Sequence, residues 1–121
     1  MNLVETGEGT ATIEMLAKEE MANHAGFVHG GFIATLADSA MGRSVRTLEP
    51  EIRRALSFDL KLNFVNAAKI GETLRATGRV LHSGRRTVVV ECRVEGNGAR
   101  LIATGSSTFL VSREEKEASA D

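Results

Sequence analysis

His29-Gly30-Gly31-Phe32-Ile33-Ala34-Thr35-Leu36-Ala37-Asp38-Ser39-Ala40-Met41 decides how this chain reads. Two glycines open a helix that runs from Gly30 to about Val45. Phe32, Ile33, Ala34, Leu36, Ala37, Ala40 and Met41 make it apolar nearly all round, which marks a buried helix. A carboxylate, Asp38, sits in its middle. A carboxylate withdrawn from water without a partner is costly, so it is expected to be paired or to have a chemical task. The helix start offers unsatisfied backbone N–H groups and the positive end of the dipole, which suit an oxyanion. A base and an oxyanion site together suggest attack on a carbonyl.

The spacing adds a constraint. Asp38 follows Gly30 by eight residues, roughly 12 Å along a helix axis. A reacting carbonyl needs both groups within about 3 Å of its reacting atoms. One helix cannot bring both to the same carbonyl. Two antiparallel copies can, if a two-fold axis sets Gly30 of one chain beside Asp38 of the other. If both groups act, the chain is at least a homodimer with two sites at its interface.

Outward from the helix the chain reads as strands. Gly9–Leu16 alternates Thr10, Thr12 and Glu14 against Ala11, Ile13 and Met15. Ala17–Ala25 is a connection with a charged run. After Pro50, Ala55–Phe64 places Leu56, Phe58, Leu60, Leu62 and Phe64 on one face and Ser57, Asp59, Lys61 and Asn63 on the other. Glu72–His82 is a further run, Ser83-Gly84 a turn, and Thr87–Glu95 a strongly β-prone stretch. Gly96-Asn97-Gly98 makes a hairpin turn into a closing strand, Arg100–Ser112. The charged tail from Arg113 to Asp121 is expected to fray. One helix among five or six strands excludes a doubly wound sheet. The expected class is α+β, a curved antiparallel sheet wrapped around one long central helix, in a single domain over residues 1–121.

Composition narrows the partners. The 121 residues carry a formal net charge of −1, so there is no global basic field for nucleic acid or membrane. Trp and Tyr are absent, and with them the usual stacking platforms of single-strand binders. No stretch is long enough to span a bilayer and no leader peptide is visible. One cysteine, Cys92, excludes an internal disulfide and suits a reducing compartment; the cytoplasm is the expected location. His24, His29 and His82 do not fall at metal-ligand spacing with Cys or carboxylates, so no metal is expected. Cys92 has no basic neighbours of the kind that activate a thiol and reads as a packed side chain.

The pattern Asn23-x-x-Gly26-x-x-His29-Gly30-Gly31, six residues, then Asp38-Ser39-Ala40 resembles the hotdog-fold acyl-CoA thioesterases of the phenylacetate-degradation (PaaI-like) type. The likeness continues through Ser57–Phe64, Gly71–Leu74, His82–Thr87 and Leu101–Val111, in order, over nearly the whole chain. It implies a hotdog fold and hydrolysis of an acyl-CoA thioester, aromatic or medium-chain, with no cofactor beyond the CoA of the substrate. It implies that Asp38 activates water or attacks the thioester, and that the Gly30 N–H, with Gly31 as a second candidate, polarises the carbonyl from the neighbouring subunit. His29 would orient that loop, Asn23 would hydrogen-bond near the reacting centre, and Ser57 would help place water. Gly84, Arg85 and Arg86 form a turn whose guanidinium groups suit the phosphates of CoA. The family's dimers often pair into homotetramers. Relatives often carry an N-terminal helix or cap that this chain lacks, which leaves the closure of the acyl end open.

Plainer readings stand beside these. Gly30 and Gly31 also suit tight packing, Asn23 a simple turn, His29 a structural role at the helix start, and Arg85 and Arg86 a solvated loop. Alternation places Ser57 opposite the Leu56/Phe58 face, so its direction is open. A non-catalytic acyl-CoA-binding module of the same fold is the main rival, and Asp38 counts against it. A hydratase ranks last, because that chemistry usually places the carboxylate ahead of the His, and here His29 comes first.

Overall fold

A computed structural model describes residues 1–48 and 51–113. Six strands form one antiparallel sheet: β1 (Asn2–Gly7), β2 (Thr10–Leu16), β3 (Ile52–Phe64), β4 (Thr73–Ser83), β5 (Thr87–Glu95) and β6 (Leu101–Arg113), in the spatial order β1-β2-β4-β5-β6-β3. A single long helix, α1 (Gly30–Arg46), packs on one face. Short 3₁₀ turns occupy Glu19–Met21 and Asn97–Ala99. This is the hotdog arrangement.

The core forms because two periodicities meet. Ile33, Leu36, Ala37, Ala40, Met41, Ser44 and Val45 recur at three- and four-residue steps and are buried. Alternate residues of the central strands, among them Leu74, Ala76, Val88, Val90 and Val94, are buried against them. The closest approach is at Gly78 of β4. A Cβ there would lie 2.6 Å from the Ala40 carbonyl oxygen and 2.9 Å from Met41 Cα, so the helix backbone rests directly on the sheet.

The structure departs from the sequence expectations at four points. A strand precedes the expected first one: Asn2–Gly7 pairs with β2 across a tight turn that Gly9 makes at φ +80°. Five residues of weak alternation before Gly7 hide it. The helix is also not buried all round. Phe32 is 40% exposed, and Gly31, Thr35, Arg43 and Arg46 are exposed, so one side of α1 is uncovered in the single chain. Phe32, an exposed aromatic among the apolar positions, made the pattern look more fully buried than it is.

The third departure is in β3. Ser57 sits opposite Phe109, while Asp59 sits opposite Thr108, which leaves Phe58 as an inserted, bulged residue. Directly opposed residues share a face. Ala55 and Ser57 therefore face the helix side with buried Val111 and Phe109. Beyond the bulge Leu60, Leu62 and Phe64 take that side, opposite Ser107, Gly105 and Ala103. The row expected to be continuous is broken, and Leu56 turns to the outer face beside exposed Leu110.

Finally, Arg113 belongs to β6, paired with Ile52, and is not part of a frayed tail. The rest of the expected tail, residues 114–121, lies outside the described residues, as do residues 49 and 50 with the start of the expected post-Pro50 region.

Candidate active site

The helix start is built by the loop before it. The Asn23 side-chain oxygen accepts from the N–H groups of Ala25 (2.9 Å) and Phe27 (3.1 Å). With Gly26 at φ +86°, this is a self-closed Asx turn. Asn23 thus shapes the loop. The strand-like segment that follows is pinned by Val28 N–H to the Ala68 carbonyl (2.9 Å) and His29 N–H to the Met21 carbonyl (2.8 Å). His29 is the helix N-cap, in extended conformation, and its Nδ1 accepts from the Gly31 N–H at 2.9 Å. An accepting Nδ1 carries no proton, so the neutral ring holds its proton on Nε2.

This cap divides the two glycines. The Gly31 N–H is occupied by His29 Nδ1. The Gly30 N–H has no hydrogen-bond partner among the described residues. A Cβ on Gly30 would come within 3.3 Å of Phe64 Cζ, so the end of β3 packs against the helix start.

Asp38 lies two turns further on, and the structure isolates it. Its Oδ1 is buried without a hydrogen-bond partner among the described residues. Asp38 lines a cavity of about 500 Å³ together with Ser39, Gly42, Ser57, Phe109 and Ile13, among others. The bulge at Phe58 brings Ser57 into this group, which alternation alone left open. Asn23, His29, Gly30 and Gly31 are not in the lining. Within one chain, therefore, Asp38 and Ser57 line one cavity, and the Gly30 N–H stands apart at the helix start.

The Gly84–Arg86 turn lies between β4 and β5. Arg85 and Arg86 are exposed, and neither guanidinium has a partner among the described residues. The turn is held from below by Arg113, which the sequence reading assigned to the tail. Its guanidinium donates to Ser83 Oγ (2.8 Å) and to the Gly84 and Arg85 carbonyls, and pairs with Glu51 at 3.4 Å. The Val111 N–H donates to the Arg86 carbonyl at 2.7 Å. The unbroken alternation through Val111-Ser112-Arg113 was the signal for it.

Two further ionisable groups are structural. Glu72 is buried, accepts from the N–H groups of Lys69 (2.7 Å) and Asn97 (2.9 Å), and pairs with Arg100 at 2.6 Å. Burial alone would raise its pKa. The two N–H donors and the Arg100 charge outweigh burial and hold the carboxyl below its ordinary 4.5. Cys92 is buried, and desolvation, with the Glu91 charge beside it, pushes its thiol up to about 11. Such a thiol is a packing group and not a nucleophile. Among the described residues, no three His, Cys, Asp or Glu side chains stand where they could hold a metal ion. No helix among them is long and apolar enough to cross a membrane.

Known proteins resemble this chain in sequence and in fold. A putative esterase of Pseudomonas aeruginosa is 32% identical over 75% of this chain and 67% of its own length. Human acyl-coenzyme A thioesterase 13 is 29% identical over 89% of this chain and 77% of its own. A Streptococcus mutans protein solved bound to acetyl-CoA superposes with a TM-score of 0.87 at 27% identity, covering 93% of this chain and 89% of that one. The family model of the thioesterase superfamily matches residues 25–109, from the Asx turn before the helix to the core phenylalanine beside Ser57, and the chain belongs to that superfamily.

Proposed function

We propose that this protein hydrolyses acyl-CoA thioesters to the free acid and CoA, in a site shared between two copies of the chain. The observation that carries the reading is the orphaned Asp38 Oδ1, buried in a cavity that holds Ser57 and not Gly30. A carboxylate with no internal partner is available to a substrate or a water. Asp38 takes a proton from water as its oxygen bonds to the thioester carbon, or bonds to that carbon itself to give an anhydride that water then opens. The carbonyl oxygen becomes an oxyanion held by the Gly30 N–H of the partner subunit. On collapse the C–S bond breaks and the CoA sulfur leaves, taking up a proton.

The remaining residues support that step. His29 caps Gly31 and so leaves Gly30 as the free donor, Asn23 fixes the loop before it, and Ser57 positions the attacking water. The exposed Gly84–Arg86 turn offers its guanidinium groups to the phosphates of CoA. The human relative's name and the acetyl-CoA bound to the S. mutans protein favour a CoA ester as substrate. The uncovered side of α1 and the exposed edge strand β3, with Leu56 and Phe58 more than 60% exposed, suit a homodimer that pairs further into a tetramer. The acyl group is aromatic or medium-chain. No metal or redox cofactor enters this scheme, and a lone buried cysteine suits a reducing cytoplasm.

The test is thiol release from a panel of aliphatic and aromatic acyl-CoAs. Asp38→Asn should lower kcat by a factor on the order of 10² or more with little change in substrate affinity. Comparable turnover in the variant would remove Asp38 from the mechanism. Binding by the native chain without turnover of any member would favour a non-catalytic acyl-CoA-binding module.

A further inference from the structure

The cavity at Asp38 has two kinds of lining. Leu3, Ile13 and Phe109 give it apolar walls, and Arg43 and Arg46 line it from the last turns of α1. The early strand β1 supplies Leu3, so the side left open in the sequence reading is walled by the chain's own N-terminal strand. Arg43 is exposed, and its guanidinium has no hydrogen-bond or ion-pair partner among the described residues. Glu8 borders the adjoining recess that Arg43 also lines, without an ion pair between them. Arg43 follows Asp38 by five residues, about 7.5 Å along the helix axis. One cavity therefore has in its lining a carboxylate without a partner and, further along the helix, a guanidinium without a partner among the described residues.

A thioester bound for attack at Asp38 has two arms. The CoA arm is long and polar and leads to solvent. The acyl arm is the one that fits an apolar-walled cavity of about 500 Å³. An acyl arm that enters this cavity from Asp38 has Arg43 in the same lining. A planar guanidinium bordering apolar walls is matched best by a carboxylate, through two parallel hydrogen bonds. We infer that Arg43 is a specificity-determining residue, and that the preferred substrate is a medium-chain acyl-CoA bearing a carboxylate at the far end of its acyl group. The inference rests on the thioesterase reading above and narrows its substrate class.

Adipoyl-CoA and hexanoyl-CoA make the test, because they share CoA and a six-carbon acyl chain and differ in the terminal carboxylate. The native protein should favour adipoyl-CoA by tenfold or more in kcat/KM. Arg43→Met should lower the adipoyl/hexanoyl ratio by about 100-fold, the loss of about 2.7 kcal/mol of discrimination. Arg43→Lys, which keeps the charge and loses the fork, should recover part of it. A native preference for hexanoyl-CoA would overturn the inference. So would a fall in both rates with the ratio unchanged, which would assign Arg43 to the phosphates of CoA. Calorimetric binding of the same two esters to Asp38→Asn, with and without Arg43→Met, keeps the two readings separable. A preference for adipoyl-CoA that disappears with Arg43→Met supports the inference even if no ester is hydrolysed; equal binding of both esters overturns it.

Discussion

Replacing Gly78 by alanine is expected to destabilise the protein by about 3 kcal/mol, against the usual sense of that change. Gly78 lies in β4 without a positive φ, so alanine could adopt its backbone conformation. On chain entropy alone the substitution would stabilise by about 0.4–1 kcal/mol. The added Cβ, however, would lie 2.6 Å from the Ala40 oxygen, 2.8 Å from its carbonyl carbon and 2.9 Å from Met41 Cα. Carbon atoms pack best at about 3.5–4.0 Å. The helix must therefore withdraw by about 1 Å, because backbone atoms have no rotamer to escape into. A gap of that size forfeits a quarter to a half of the dispersion energy across the Leu36, Ala37, Ala40 and Met41 contacts. Overpacking typically costs about 1–3 kcal/mol, and a backbone clash belongs at the top of that range. With an unfolding entropy of about 2.1 cal/mol/K per residue, 3 kcal/mol lowers Tm by about 12 °C. Asp38 stands two residues before Ala40 and moves with it, so turnover should fall by a factor on the order of 10². Calorimetric melting and thiol release measure the two effects. An unchanged or raised Tm would refute the direct contact between helix and sheet. Gly42→Ala is the counterpart, since its Cβ would meet Phe109 at an ordinary 3.7 Å; as a helix-interior change it should raise stability by about 0.5–1 kcal/mol.

Glu72→Gln should cost about 2 kcal/mol at neutral pH, short of a fully buried pair because Arg100 is one-third exposed. The folded carboxyl titrates below its ordinary 4.5, so its contribution is complete above that value and is lost as pH falls through the folded pKa. Urea unfolding should show the native and variant proteins converging in acid, and a gap that widens there would contradict the assignment. His29→Ala should cost about 1 kcal/mol by uncapping Gly31, while His29→Asn, which keeps an acceptor, should retain most of that stability in the same assay. Mixing Asp38→Asn chains with chains impaired at Gly30 should restore part of the activity, because one site of each mixed dimer is intact. No recovery after verified subunit exchange would count against the shared site.

The sequence shows its long-range organisation better than its local departures. The helix, the four later strands and the Asp38–Gly30 separation follow from periodicity and rise per residue, both carried by many residues at once. What it hides turns on single residues. The bulge at Phe58 reverses which residues of β3 face inward, and no composition signal marks it, because the alternation reads equally well without the insertion. Ser57, just before it, lines the same cavity as Asp38. β1 is short and exposed throughout, so burial leaves no pattern in it. Glu72 and Arg100 look like surface charges, since their pairing joins residues far apart in the chain. That His29 caps the Gly31 N–H was likewise beyond reach, because it depends on which way one imidazole nitrogen points.

The position of β3 in the sheet has a consequence for how the molecule is made. β3 follows the helix in the chain, but its neighbour is β6, from Phe64 opposite Ala103 to Ile52 opposite Arg113. These partners lie about 40–60 residues apart in sequence. On the ribosome, α1 and β3 emerge while the strands that will cover and pair with them are still unsynthesised. β4, β5 and β6 can form as a meander of local hairpins, whereas β3 must wait, its leucines and phenylalanines unsheltered, until β6 arrives. Closure of the β3–β6 ladder is thus the slow, late step of folding, and the interval before it is when the nascent chain is most open to aggregation.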